Sequence, residues 1–104
     1  MQEGKVPHLI TDVPGPQARS VVDRSNRAVS PSLPHAYPLA VARAEGVAVE
    51  DVDGNRFLDC AAGIAVCSTG HCHPWVTGAI RQQADRLLHI CGADFYDPMY
   101  IGLA

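Results

Sequence analysis

The residues best able to do chemistry are cysteines and histidines in the middle of the chain. His71, Cys72 and His73 are adjacent, and Cys60 and Cys67 lie upstream of them. Thiolates and imidazoles are ligands of zinc, and four of them close a tetrahedral site. The spacing disfavours zinc, because no Cys-x2-Cys pair occurs and three adjacent side chains do not easily reach one ion. We therefore expect buried thiols and loop histidines here, not a metal centre.

The same stretch offers two other kinds of chemistry. Cys67 or Cys72 could act as a nucleophile, but this requires a base and an orienting group that proximity in the sequence does not establish. Ser68, Thr69 and Gly70 precede a predicted helix, and a helix N-terminus favours phosphate. They lack the glycine spacing of a phosphate-binding loop. We therefore favour a tight turn that the glycine permits.

An uncharged run, GIAV at residues 63–66, is the third feature of this stretch. Its composition fits a buried strand. It also fits one wall of a substrate pocket, where branched side chains exclude water and select aliphatic substrates. The two interpretations are compatible, since a pocket wall is also packed.

A β-hairpin is predicted just before this run, over residues 47–60. Valines alternate on its first arm, and Asp53 and Gly54 form a preferred centre for a two-residue type I′ turn. Residues 61–73 follow as a low-charge loop or buried strand. The hairpin is therefore the element that must position the cysteines and histidines.

Helices are predicted on both sides of the hairpin. Pro16 suits the first turn of a short helix that runs to about Arg27. Pro74 opens a second helix, whose apolar residues recur at helical spacing. This helix should end near Cys91, with Gly92 as a left-handed cap.

Composition and charge exclude several classes of function. The chain has 104 residues, 47% apolar and 18% charged, with a net charge of −3. Lysines and arginines are scattered, so we expect neither nucleic-acid binding nor a polybasic membrane surface. The start has no apolar signal segment, and the longest apolar run, residues 61–67, is too short to span a bilayer. A cytoplasmic location with reduced cysteines is expected.

The last residues predict the opening of another helix, with Asp97 as N-cap and Pro98 as its first residue. No C-cap follows before Ala104. We therefore expect Ala104 to be a truncation point.

Five segments in order resemble the class III (omega) aminotransferases, which use pyridoxal phosphate. The first is the hairpin VEDVDGNRFLD, and the second is GIAV. The others are TGHCHP, a helix ending in LLH and the aromatic turn DFYDP. Each is weak alone, but their order is a strong signal. The resemblance covers about residues 30–104 and excludes the catalytic lysine of the family.

The resemblance implies the fold class and its division. It implies an α/β structure, the N-terminal part of a fold-type I pyridoxal-phosphate transferase, and a homodimer in the parent enzyme. Residues 1–46 would be an N-terminal arm with a short helix. Residues 47–104 would supply the β-hairpin, active-site loop and helix of the small domain, and the start of the large domain, as an incomplete domain.

The resemblance also implies roles for individual residues. Ile64 matches a residue that lines the substrate site in 4-aminobutyrate-specific members, and Val66 lies beside it. The other residues, which match a loop near the subunit contact and active site, are Ser68, Thr69, Gly70 and His71. No catalytic residue and no metal ligand is implied in this chain.

The implied reaction moves an amino group from an omega-amino acid, such as 4-aminobutyrate, to 2-oxoglutarate. The partners are thus a small-molecule amino donor and a 2-oxo acid. The chain's only lysine is Lys5, in the wrong context for a Schiff base, so the chain alone is expected to be inactive. It is also expected to be unstable, because the apolar stripe of the second predicted helix lacks most of the surface on which it should pack. The alternatives are an acetylornithine or ornithine aminotransferase, an amino-acid racemase of the same family, or a small Cys/His metal-binding or interaction module.

Overall fold

The described residues form short helices and one small antiparallel sheet. A computed structural model describes residues 5–104. The chain divides into two units, Met1–His73 and Pro74–Ala104. The first contains α1 (Pro16–Ala28), β1 (Val41–Glu45), β2 (Ala48–Asp51), β3 (Arg56–Leu58) and α2 (Ala62–Ala65), and the second contains α3 (Pro74–Ala84) and α4 (Pro98–Leu103). The elements agree with the expected α/β class, although the expected boundary after residue 46 falls between two strands of one sheet.

The sheet has the order β1-β2-β3, with both pairs antiparallel. The sequence analysis missed β1, whose residues it placed in the N-terminal arm. Pairing of Glu45 with Ala48 leaves a two-residue connection, and Gly46 adopts a φ of 57° there. Glycine adopts this left-handed conformation without steric cost, so the chain reverses tightly.

The β2–β3 turn differs from the predicted type I′ turn. Asp51 and Asn55 flank three connecting residues, and the Asp51 Oδ1 accepts the amides of Asp53 (3.0 Å) and Asn55 (2.8 Å). Gly54 has a φ of 88°, whereas Asp53 lies outside the positive-φ region that type I′ requires at both centres. The two-residue prediction was therefore wrong, because the Asp51 carboxylate organises a longer turn.

A buried asparagine ties the N-terminal segment to this turn. Asn55 is fully buried, and its Oδ1 accepts the amides of Ile10 (2.8 Å) and Thr11 (2.9 Å). Its Nδ2 donates to the Thr11 hydroxyl (2.8 Å) and to the Asp51 carboxylate (2.9 Å). All four hydrogen-bonding positions of the side-chain amide are thus used.

Helix α1 begins at the predicted proline, but its cap comes from a distant residue. Gly15 at the N-cap supplies no side chain. The Asp53 carboxylate instead accepts the amides of Gln17 (2.9 Å) and Ala18 (2.8 Å). A Cβ at Gly15 would lie 2.4 Å from the Asp53 Cγ, so only glycine leaves room for this carboxylate.

Helix α3 is shorter than predicted. It ends at Ala84, and Gly92 is not in the left-handed region expected of a cap. No residue of α3 is buried, so its apolar stripe lacks the packing that sustains most helices. The Gln83 side chain donates to the Leu87 carbonyl (3.1 Å). This hydrogen bond ties the last turn of the helix to the residues that follow it.

Helix α4 starts as predicted. The Asp97 carboxylate accepts the Met99 amide at 2.8 Å, and proline occupies the first helical position. This arrangement satisfies one of the free amides of the first turn. Local capping signals were therefore sufficient to locate the start of this helix.

Candidate functional site

The predicted site residues lie in one loop, residues 59–71, which we call the 59–71 loop. Both ends are fixed to the β1–β2 connection. The Asp59 amide donates to the Val47 carbonyl at 2.9 Å, and His71 exchanges two backbone hydrogen bonds with Gly46, at 2.8 and 3.0 Å. The sheet therefore holds the loop closed at its base.

The base of the loop requires glycine at position 70. Gly70 has a φ of 90°, and a Cβ there would lie 3.2 Å from the Gly46 Cα. Both the backbone conformation and the close approach of two main chains disfavour a larger residue. The predicted tight turn is therefore present at Gly70.

A polar pair joins the two ends of the loop through their side chains. His71 Nε2 lies 2.5 Å from Asp59 Oδ2, and both side chains are partly buried. The other oxygen, Oδ1, accepts the amides of Ala61 and Ala62, each at 2.9 Å. One carboxylate thus connects the loop's base to the start of α2.

These contacts hold the pKa of Asp59 below its ordinary value. The hydrogen bond from His71 is the largest cause, and the amides of Ala61 and Ala62 follow. Because the pKa is lowered in the folded chain, the stabilisation is present above the ordinary pKa of an aspartate. It is lost as pH falls through the lowered pKa.

Helix α2 is a left-handed turn, not the buried strand that was one prediction. All four of its residues have positive φ: 49° at Ala62, 64° at Gly63, 60° at Ile64 and 63° at Ala65. Such a conformation costs about 1–2 kcal/mol per non-glycine residue. For a β-branched residue like Ile64 it is a marked outlier.

The turn displays apolar side chains. Ile64 is 93% exposed and Val66 is 82% exposed, so the interpretation of this run as buried was wrong. Strained backbone clusters at ligand-binding sites, where it is part of the mechanism. The structure therefore places Ile64, one of the two predicted substrate-contacting residues, on the strained turn. It places the other, Val66, at the C-cap of that turn, where φ is −67° and the backbone is not strained.

The remaining predicted residues divide between the tip and the base of the loop. The Ser68 hydroxyl donates to the Ala65 carbonyl, and Thr69 is exposed beside it. Gly70 and His71 form the base. Ser68 thus stabilises the turn itself, and the predicted place of these residues near a subunit contact stays a prediction.

Sequence analysis did not identify the role of Asp59. Part of this role is local, since the carboxylate accepts amides two and three positions ahead. The contact with His71 lies 12 residues away and has no local signature. An aspartate that could cap a turn, followed by a histidine next to a glycine, is the signal that could have suggested it.

The cysteines lie differently from the prediction. Cys60, Cys72 and Cys91 are exposed and Cys67 is half-buried, so the expectation of buried thiols was wrong. Across residues 5–104, no group of three or more His, Cys, Asp or Glu side chains could hold a metal ion. Within the same range, every helix is too short or too polar to cross a membrane.

Comparisons with known proteins identify the family. The profile of class-III aminotransferases matches residues 29–101. A 4-aminobutyrate aminotransferase of Mycobacterium tuberculosis is 43% identical over 83 residues, which cover 80% of this chain and 18% of that protein. An acetylornithine aminotransferase of Methanosarcina acetivorans is 42% identical over 77 residues, 72% of this chain and 19% of that protein.

The fold is similar to that of solved structures. The ornithine aminotransferase of Toxoplasma gondii ME49 aligns with a TM-score of 0.69 and 31% identity, over 77% of this chain and 18% of that one. The chain spans about a fifth of the length of the relatives that it matches. With both the sequence profile and the fold matched over most of its residues, the chain belongs to the class-III aminotransferase family.

Proposed function

We propose that the complete protein carrying this chain transfers an amino group from an omega-amino acid to a 2-oxo acid, with pyridoxal phosphate as cofactor. The proposed donor is 4-aminobutyrate and the proposed acceptor is 2-oxoglutarate. The observation that carries this proposal is the strained turn that displays Ile64, with the exposed Val66 at its C-cap, in a chain of this family.

The share of this chain in the reaction is to bind the donor. An omega-amino acid has an aliphatic middle between two charged ends. Exposed branched side chains on a fixed turn favour contact with that middle, because apolar surface gains free energy when water leaves it. In this proposal Ser68, Thr69, Gly70 and His71 lie near the partner subunit of a homodimer.

The residues of this chain do not themselves fit the cofactor. The only lysine, Lys5, is exposed and lies outside every helix and strand. Pyridoxal phosphate needs a lysine and a phosphate-binding loop to be held and tuned. We therefore assign no cofactor-binding residue here, and the proposed cofactor site belongs to other parts of the protein.

The amino donor distinguishes this proposal from its alternatives. Acetylornithine and ornithine aminotransferases are among the relatives, and a racemase of the same family would use no acceptor. The sequence GIAV favours 4-aminobutyrate over acetylornithine. The alternative of a metal-binding module is not favoured, since the described residues hold no metal-ligand cluster.

The test is an assay of the complete protein, purified with pyridoxal phosphate. We expect glutamate to form from 2-oxoglutarate with 4-aminobutyrate, with higher kcat/KM than with acetylornithine or ornithine. Higher kcat/KM with another donor would reassign the substrate, and racemisation of an amino acid without an acceptor would overturn the reaction. The chain alone, assayed in parallel, is expected to give no turnover above a cofactor blank.

A further inference from the structure

We propose that Asp59 and His71 are positioning residues, which hold the left-handed turn so that Ile64 is presented to the donor. This inference rests on the proposed function and adds to it the two residues that set the backbone geometry of the site. Neither residue is proposed to touch the substrate. Both act through the backbone of α2.

The left-handed turn is not held by packing within the described residues. Its four residues all have positive φ, three of them without the freedom of glycine. Ile64 is almost fully exposed, and α2 has no buried residue. Within the described residues, packing therefore does not offset the backbone cost, and polar contacts fix the conformation.

Asp59 supplies those contacts at the point where the chain enters the turn. Its Oδ1 accepts two successive amides, those of Ala61 and Ala62, at 2.9 Å each. These bonds fix the direction of the peptide units just ahead of Ile64. Bonds to an ionised carboxylate are stronger than neutral ones.

His71 in turn fixes Asp59. Its Nε2 lies 2.5 Å from the second carboxylate oxygen, while its main chain is bonded to Gly46 of the β1–β2 connection. The carboxylate is therefore held on both sides, by the turn through one oxygen and by the sheet-bound histidine through the other. Displacing either residue would release the other.

The test uses the complete holoenzyme with Asp59→Ala, His71→Ala and the double variant. We expect each single variant to raise KM for 4-aminobutyrate about tenfold, with a smaller change in kcat. Because the residues act as one unit, the double variant should be no worse than either single one. A matched control is Asp23→Ala, which removes an exposed aspartate of α1 and should leave KM unchanged.

Hydrogen exchange separates positioning from general destabilisation. We expect both single variants to exchange faster across residues 60–70 and at an unchanged rate across residues 41–51. Effects on KM that multiply in the double variant, faster exchange over the whole unit, or an unchanged KM would each overturn the inference. If the unmodified protein shows no transamination, the proposed function fails, and the exchange of residues 60–70 still decides whether the pair holds the turn.

Discussion

Two loops of the first unit are each organised by an aspartate, but the aspartate has a different effect in each loop. In the β2–β3 turn, Asp51 accepts two backbone amides and a side-chain amide, and its own side chain is buried. In the 59–71 loop, Asp59 also accepts two backbone amides and a side-chain N–H. The first loop encloses a polar side chain, whereas the second displays apolar ones.

The difference lies in what each carboxylate is bonded to. Asp51 meets Asn55, whose amide is saturated by the N-terminal segment, so the network becomes the centre of the unit. Among the described residues, the buried apolar side chains are only the small ones of Ala18 and Ala48. Asp59 instead leads into residues with positive φ. The same hydrogen bonds from amides to a carboxylate thus stabilise a buried network in the β2–β3 turn, whereas in the 59–71 loop they hold a turn with exposed apolar side chains.

The largest effect is expected where the buried network is broken. Asn55→Leu removes the acceptor of the part-buried hydrogen bonds from the Ile10 and Thr11 amides, and a buried amide left without an acceptor costs about 1–3 kcal/mol. We expect the opening free energy of these amides, measured by native-state hydrogen exchange, to fall by about 2–4 kcal/mol. The exposed Asn26→Leu is the control, and equal effects from both would remove the special role of Asn55.

The next largest effect is expected from changing the exposed side chain of Ile64 in the 59–71 loop. Ile64→Gln places a polar amide against the aliphatic part of the donor, a mismatch of about 1–3 kcal/mol. In the complete enzyme, kcat/KM for 4-aminobutyrate should fall about 10- to 200-fold, with a smaller loss for 2-oxoglutarate and unchanged cofactor absorbance. Val29→Gln, at another exposed valine, should have no such effect. Equal losses for both substrates would contradict the assignment.

A smaller effect is expected at the cap of α1. Asp53→Ala removes the acceptor of the Gln17 and Ala18 amides, and losing a helix cap costs about 0.5–2 kcal/mol. Hydrogen exchange of those two amides should report this loss, while amides at the far end of α1 change less. Asp23→Ala, which removes a charge from the exposed side of the same helix, serves as the control. Equal exchange in the two variants would show that Asp53 is not the cap.

The smallest expected effect is a stabilisation, unlike the losses of stability or activity predicted above. Ala62→Gly relieves a positive φ of 49° and should stabilise the loop by about 0.5–1 kcal/mol. The neighbouring Ala61→Gly, at a φ of −99°, gains nothing and should destabilise it by a similar amount. The measurement is the exchange of the Cys67 amide, which donates to the Ala62 carbonyl. Equal signs would mean that the turn is not strained.

Sequence reasoning succeeded where the signal was local. Pro16 and Asp97 located the starts of α1 and α4, because capping depends on a few adjacent residues. It failed for β1, whose five-residue sequence VARAE is too short and too poor in large apolar residues to predict a strand, and which becomes one by pairing with β2. Strand formation depends on the partner more than on intrinsic preference.

The candidate site was predicted in part for the same reason. Ile64 and Val66 were predicted from a family resemblance, and the structure places them on one turn. Their exposure was not predicted, because an uncharged run has the same composition in a strand and in a left-handed turn. Asp59 and His71 meet because the backbones of both residues are bonded to the β1–β2 connection. No local sequence pattern predicts such a contact.

The cap of α1 has a consequence for the order of folding. The helix has no acidic residue in its first turn, and the carboxylate that closes its N-terminus belongs to a residue 35 positions later. During synthesis, the residues of the helix are therefore made before the residue that caps them. The helix should become stable only when the β2–β3 turn has formed, so that the earliest helix of the chain is among the last elements of its unit to be secured.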